Sequence, residues 1–301
     1  MDDYLKLGFQ DPLDAVSRVL PERRVHAVGY CIGGTLLSIG AAALAQRGDR
    51  RLASVTLLAA LTDFSEPGEL SVFITPAQLA MLEATMSQKG VLESERMAAA
   101  FTLLRSRDLL WAPAVNNYIR GERTKPNDLM AWNADGTRMP WRMHTEYLER
   151  LYLKNELAQG QFSAHGAQIN LKAIEVPMFV VGTETDHVAP WRAVYKVRGL
   201  TGSKDYSFLL TSGGHNAGIV SGPAHPKRRF RLRTWNNAHD TLSSDEWLES
   251  TPTQSGSWWP AWQSWLVAHS SPERIAARAV GADPQAPSAE LEDAPGRYVR
   301  E

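Results

Sequence analysis

Among its 301 residues the sequence has one cysteine, Cys31. A single thiol excludes a disulfide within the chain and any zinc site built on a cysteine cluster. An excess of either charge is also missing: 32 Lys and Arg stand against 33 Asp and Glu, a net charge of −1. No overall field therefore draws the chain to nucleic acid or to an acidic membrane surface. No uncharged apolar run reaches the length of a transmembrane segment; the nearest, around residues 32–46, is short and rich in glycine and alanine. The start, Met1-Asp2-Asp3-Tyr4, lacks the basic-then-apolar pattern of a secretory leader. These absences point to a reducing, cytoplasmic setting in which a free thiol persists.

What is present gathers around that thiol. Gly29-Tyr30-Cys31-Ile32-Gly33 is a G-x-C-x-G pentapeptide, preceded by Val25-His26-Ala27-Val28 and followed by a small-residue run from Gly34 to Ala43. An apolar strand, a sharp turn and a helix are the context of a nucleophile elbow, here with cysteine where serine is usual. Because such a turn is strained and its helix packs close, a Cβ at either flanking glycine is expected to clash. The helix also aims the positive end of its dipole at the sulfur. A lone cysteine is otherwise a small buried apolar residue; its seat between the elbow glycines favours a nucleophile.

The remaining pattern is that of an α/β chain. Leu13, Val16, Val19 and Leu20 form one helical face that Pro21 ends. Apolar runs over 25–28 and 52–60 read as strands, bracketing a helix over 34–46 that Arg47-Gly48 closes. This order predicts a parallel sheet with crossover helices. Residues 1–62 are thus the first part of an α/β core. Over 63–170 buried strands give way to short helices at 76–86, 94–104 and 145–157, separated by irregular aromatic stretches at 109–111, 116–118 and 132–135. This segment reads as a cap or lid inserted over the sheet. The core resumes over 171–270 with strands at 177–182 and 206–210, and 271–301, rich in Pro, Ala and Glu, reads as a disordered tail. The expected fold is an α/β-hydrolase fold, a partial and mostly parallel sheet with an inserted helical cap.

Polar loops follow the two later strands: Thr183-Glu184-Thr185-Asp186-His187 and Thr211-Ser212-Gly213-Gly214-His215. Nucleophile, acid and histidine in that chain order, each after a strand, match Cys31, Asp186 and His215. Glu184 is a rival acid and His187 a rival base, and Asp186 also suits a helix N-cap. His26, His144, His165, His225, His239 and His269 lack the strand-end setting. In the triad reading His215 takes the thiol proton, Asp186 holds the imidazole in one tautomer, and the Ile32 amide donates to an oxyanion. A second oxyanion donor ordinarily comes from a loop after an earlier strand. Only about 24 residues precede the elbow strand, so the sequence predicts a truncated chain or a site completed by another polypeptide. Trp111 and Trp132 are candidate cap residues over the site, with ordinary packing as the alternative. The basic run at 227–233 reads as an edge strand with a charged outer face.

Several segments, in order over residues 1–267, resemble the catalytic domain of poly(3-hydroxyalkanoate) synthases, the polymerases of bacterial storage polyester. They are Gly29-Tyr30-Cys31-Ile32-Gly33-Gly34-Thr35-Leu36-Leu37, Leu61-Thr62-Asp63-Phe64-Ser65, Trp132-Asn133-Ala134-Asp135-Gly136-Thr137-Arg138-Met139-Pro140, the stretch 147–157, Asp186-His187-Val188-Ala189-Pro190-Trp191, Ser212-Gly213-Gly214-His215-Asn216-Ala217-Gly218 and Gly256-Ser257-Trp258-Trp259-Pro260. The resemblance implies an acyltransferase that polymerises (R)-3-hydroxyacyl-CoA, with Cys31 acylated, His215 the general base and Asp186 the triad acid. Coenzyme A then enters as part of the substrate, and no separate cofactor or metal is implied. It further implies a homodimer or a complex with a full-length synthase, a growing polyester chain as partner, and association with the polymer granule surface in the cytoplasm. The family's N-terminal domain and the first part of its catalytic domain are missing from this sequence. Gly214 and Asn216 are less usual neighbours for the histidine. Two other readings of the same residues are a thioesterase or esterase of this fold and an inactive partner of a full-length synthase. On the synthase reading the 227–233 run is also a candidate cradle for the coenzyme A phosphates.

Overall fold

Six strands make one sheet in a computed structural model that describes residues 1–104, 106–122, 125, 127–225, 227–236, 242–274, 276 and 297. They are β1 Val25–Tyr30, β2 Leu52–Leu58, β3 Met178–Thr183, β4 Tyr206–Thr211, β5 Arg229–Trp235 and β6 Thr253–Ser255. Their order across the sheet is their order along the chain. β1 to β4 run parallel, while β5 and β6 each pair antiparallel to the strand before. β1, the strand that leads into the cysteine, is therefore an edge.

The continuous apolar runs of β2, β3 and β4 follow from burial on both faces. Strand periodicity divides their residues between two layers. Leu57, Val180 and Phe208 pack with Ile39 of the helix Ile32–Gln46 and with Trp191 and Trp247. Leu58, Phe179, Val181 and Leu209 face the other way, towards Ile219, Trp258 and Trp265. Trp191, Trp235, Trp247, Trp258 and Trp265 are all buried, so core packing accounts for half of the ten tryptophans.

Between β2 and β3 lie the helices Pro76–Lys89, Ser94–Leu104, Asp128–Ala134 and Trp141–Glu146, with π-helical turns at Arg107–Trp111, Val115–Ile119 and Tyr147–Leu153. The stretches expected to be irregular, at 109–111, 116–118 and 132–135, are thus largely helical. Their apolar period is hidden because little of them is buried: Leu109, Trp111, Tyr118 and Trp132 are all exposed. The two ends of this insertion meet. Asp63 Oδ1 accepts from the Ser65 amide at 2.8 Å and from Asn155 Nδ2 at 3.0 Å, and Asn155 Oδ1 accepts from the Phe64 amide at 2.8 Å.

The basic run differs from its expectation. β5 is an inner strand, covered on its outer side by the three residues of β6. Its arginines are engaged locally: Arg229 with Glu184 at 2.6 Å, Arg231 with the Thr251 carbonyl, and Arg233 with Ser250 Oγ at 3.4 Å. Most of the tail expected over 271–301 lies outside the described residues. No described helix is long and apolar enough to cross a membrane.

Candidate active site at the nucleophile elbow

β1 ends at Tyr30 and the following helix begins at Ile32, leaving Cys31 at the turn with φ 53° and ψ −127°. A positive φ at a residue with a side chain is strained and persists only where neighbours fix it. Here the Cys31 amide donates to the Leu58 carbonyl at 2.9 Å, while the Cys31 carbonyl accepts from the Gly34 and Thr35 amides at 2.9 and 3.3 Å. The glycines act differently from the expectation. A Cβ on Gly29 would lie 2.5 Å from the Gly34 Cα, and one on Gly34 would lie 2.4 Å from the Ala60 Cβ. A Cβ on Gly33 would meet nothing within 4 Å. The close approach is between Gly29 and Gly34, because Gly34 rather than Gly33 faces the strand and the end of β2. Ile32, the first helical residue, has no carbonyl one turn earlier for its amide to use.

Thr183 and Thr211, the last residues of β3 and β4, are paired in register, which sets the loops after them side by side. Asp186 Oδ2 accepts from His215 Nδ1 at 2.8 Å and from Thr183 Oγ1 at 3.0 Å. Its Oδ1 accepts from the Val188 and Ala189 amides, each at 2.8 Å. Asp186 therefore closes its own loop with one oxygen and orients the imidazole with the other; the helix beyond it starts only at Trp191. Of the rivals, Glu184 is paired with Arg229, and the ring bonded to Asp186 is His215. His26 bonds Ser54 Oγ at 2.7 Å and Ser270 Oγ at 3.1 Å, a structural setting.

The Asp186 carboxylate is fully buried and His215 is 12% exposed. Burial opposes a charge on the imidazole, but its hydrogen bonds to Asp186 and Cys31 and the negative charges there outweigh it, pushing His215 up to about 10. Tyr30, the residue before the cysteine, stacks on the His215 ring with centroids 5.2 Å apart. Burial, then the charges of Cys31 and Asp186, raise the Tyr30 phenol well above its ordinary value, so it stays a donor. Beneath the histidine loop Arg228 donates to the carbonyls of Ser212 and Ala217 at 3.3 and 2.6 Å and to Ser221 Oγ at 3.0 Å. Gly213, at φ 107°, lets this guanidinium approach: a Cβ there would lie 2.7 Å from Arg228 Nη1.

Above the sulfur, Tyr147 and Tyr152 of the inserted segment join Val188 and Ala189 in closing a space of about 10 Å³ beside Cys31 and Ile32. Trp111 and Trp132 are 63% and 50% exposed on the insertion and are absent from that lining. The sequence stretch 147–157 flagged the segment that supplies the two tyrosines, but nothing in its spacing marked them as the residues over the sulfur.

A family model described as alpha/beta hydrolase fold matches residues 2–221. The chain belongs to the α/β-hydrolase fold family. Within this α/β hydrolase the similarity to polyester polymerases extends along almost the whole chain. The poly(3-hydroxyalkanoate) polymerase of Methylorubrum extorquens is 40% identical over 299 residues, covering 99% of this chain and 48% of that protein. The poly(3-hydroxyalkanoate) polymerase subunit PhaC of Rhizobium meliloti is 38% identical over 297 residues, covering 99% of this chain and 47% of that protein. The chain spans about half the length of the curated relatives it matches. Among solved structures, a monoacylglycerol lipase from Paleococcus ferrophilus aligns at 14% identity and a TM-score of 0.44, covering 89% of this chain and 75% of that one. In this α/β hydrolase the His215 imidazole and the Asp186 carboxylate pair from the loops after β4 and β3, and Tyr30, next to Cys31, stacks on that imidazole. Among the described residues no group of three or more His, Cys, Asp or Glu is placed to hold a metal ion.

Proposed function

We propose that this chain carries the acyl-transfer centre of a polyhydroxyalkanoate polymerase, with Cys31 as nucleophile, His215 as general base and acid, and Asp186 as its orienting carboxylate. The observations that support it most are the His215–Asp186 hydrogen bond at 2.8 Å and the elbow turn at Cys31, in a chain similar to polyester polymerases over nearly its full length. His215 in its charged form holds a proton on Nε2, and the Cys31 sulfur attacks the carbonyl carbon of a 3-hydroxyacyl-CoA thioester. The carbonyl oxygen takes the negative charge, and the Ile32 amide donates to it. The tetrahedral adduct collapses, the carbon–sulfur bond to coenzyme A breaks, and His215 returns its proton to the departing thiolate. One thioester replaces another, so the step is close to isoenergetic. In the second half the hydroxyl of another 3-hydroxyacyl unit loses its proton to His215 and attacks the acyl-enzyme, forming an ester and releasing the Cys31 sulfur.

Water must be excluded while the acyl group waits, or hydrolysis ends the chain. Tyr147 and Tyr152 lie where they do this. The space beside the sulfur holds little more than a water molecule, and on this reading the Tyr147–Leu153 turn shifts to load the acyl group. Intact-protein mass spectrometry after incubation with 3-hydroxybutyryl-CoA tests the proposal. One 3-hydroxybutyryl adduct is expected on the wild-type chain and none on Cys31→Ala; an unmodified wild-type chain at saturating substrate overturns it. The product separates polymerase from thioesterase: coenzyme A released with oligomeric ester supports the first, and coenzyme A with free 3-hydroxybutyrate the second. A second copy or a longer synthase, and the surface of the polymer, are the partners this role would have.

A further inference from the structure

The acyl-transfer reading leaves three residues around the histidine unused. Tyr30, the last residue of β1, stacks on the His215 ring. Its hydroxyl donates to Asn216 Oδ1 and lies 3.2 Å from the His215 carbonyl oxygen. Asn216 Nδ2 in turn donates to Asn133 Oδ1 at 2.7 Å. Asn133 is not part of the sheet. It sits near the end of the helix Asp128–Ala134 in the inserted segment, a helix whose start is fixed by Asn127 Oδ1 accepting from the Met130 amide at 2.9 Å. A series of polar contacts therefore runs from the elbow, through the backbone and neighbour of His215, to the insertion that places Tyr147 and Tyr152 beside the sulfur.

We propose that Tyr30, Asn216 and Asn133 form a positioning link that seats the cap and the His215 loop together. Tyr30 holds the imidazole by stacking and the His215 backbone and Asn216 by its hydroxyl, so the histidine loop is tied to the strand that presents Cys31. Asn133 joins this arrangement only while the insertion sits down on the sheet. The Asn216–Asn133 contact is solvent-facing and made by two short neutral side chains, so it breaks at modest cost when the insertion lifts to admit substrate. When the link re-forms, the histidine is returned to its place as the sulfur is covered. The inference rests on the proposed acyl-transfer role of His215, but the contact itself has a readout that needs no substrate.

Cys31 is the sole thiol, so iodoacetamide alkylation reports one sulfur without background. Asn133→Leu and Asn216→Leu are each expected to raise the alkylation rate about fivefold at neutral pH, the effect of one hydrogen bond on an opening equilibrium. The double variant should be no faster than either single one, as for two residues of one contact. Asn133→Asp keeps an acceptor for Asn216 Nδ2 and should restore the slow rate, whereas Asn133→Asp combined with Asn216→Asp sets two carboxylates face to face and should be fast. The pH midpoint of alkylation, which reports the Cys31–His215 pair, should move in the leucine variants and return in Asn133→Asp. Leucine variants at the wild-type rate, effects that add in the double variant, or a midpoint unmoved by either change overturn the link. If the alkylation pattern holds while wild-type protein takes no acyl group from 3-hydroxybutyryl-CoA, the link stands and the acyl-transfer reading fails.

Discussion

Asp186 uses its two oxygens for two tasks, and a single substitution separates them. In Asp186→Asn the remaining carbonyl oxygen can still accept from the Val188 and Ala189 amides, but an NH₂ then faces Thr183 Oγ1 and His215 Nδ1. The imidazole is driven to the other tautomer, its Nε2 proton pointing at the sulfur it should deprotonate. The acylation rate, followed by coenzyme A release in single-turnover experiments, is expected to fall by on the order of 10³–10⁴-fold with the fold intact. A second consequence concerns pH. His215 stands at about 10 in the folded chain against an ordinary 6.5, so its charged form is favoured by folding. The stabilisation is complete below about pH 6.5 and is lost as pH climbs towards 10. Urea unfolding of wild type against His215→Gln should show the gap widest near pH 6 and narrowing through that window; a gap that widens with pH contradicts the assignment. The turn at Cys31 and the pairing of Asp186 with His215 were legible in the sequence because the glycine spacing, chain order and strand ends mark them. The residues that position His215 were not: Tyr30 and Asn216 lie 186 positions apart and Asn216 and Asn133 lie 83 apart, and no local pattern joins contacts that only the folded sheet creates.

At the level of elements, the elbow motif misplaces the weight among its own glycines. Written as G-x-C-x-G it draws attention to Gly33, whereas the interlock of strand and helix is made by Gly29 and Gly34. Gly34→Ala forces a methyl to 2.4 Å from the Ala60 Cβ and 2.9 Å from the Gly29 carbonyl oxygen, neither at the end of a flexible chain. Overpacking of this kind costs about 1–3 kcal/mol or more, read as a lowered denaturation midpoint at unchanged slope. Gly33→Ala meets open space in a helix and should be neutral or stabilising by up to about 1 kcal/mol. Equal losses for the two variants would show that the elbow does not pack as described. The same contrast explains which elements could be read in advance. β2, β3 and β4 are buried along their entire length, so composition alone reveals them. β6 is three exposed polar residues, Thr253–Ser255, and only its pairing with β5 makes it a strand. The π-helical turns Arg107–Trp111 and Val115–Ile119 carry exposed aromatics, which masks their periodicity.

On the scale of the whole molecule, β1 has no strand beyond it among the described residues. Parallel strands are ordinarily covered, and an uncharged edge offers its amides and carbonyls to other chains. β1 is such an edge, and along it runs a groove of about 390 Å³ whose walls include Phe9, Val16, Val28 and Leu36. Val28 and Val16 are 46% and 41% exposed there. Residues 25–28, an apolar run interrupted only by His26, do not by themselves distinguish an edge from an interior strand. An exposed apolar edge predicts association that rises with concentration. Val28→Lys places a charge on that edge, a device that opposes strand-to-strand pairing. Because the side chain is already half in solvent, stability should change by no more than about 0.5 kcal/mol. Sedimentation velocity over a hundredfold range of concentration should show larger species for wild type and a smaller shift for the variant. If both chains associate alike, the contact lies elsewhere, and the exposed aromatics of the insertion become the surface to test next. The alkylation rate of Cys31 gives the control: a charge at Val28 should leave it unchanged, because the sulfur opens towards Tyr147 and Tyr152 rather than towards the bare edge.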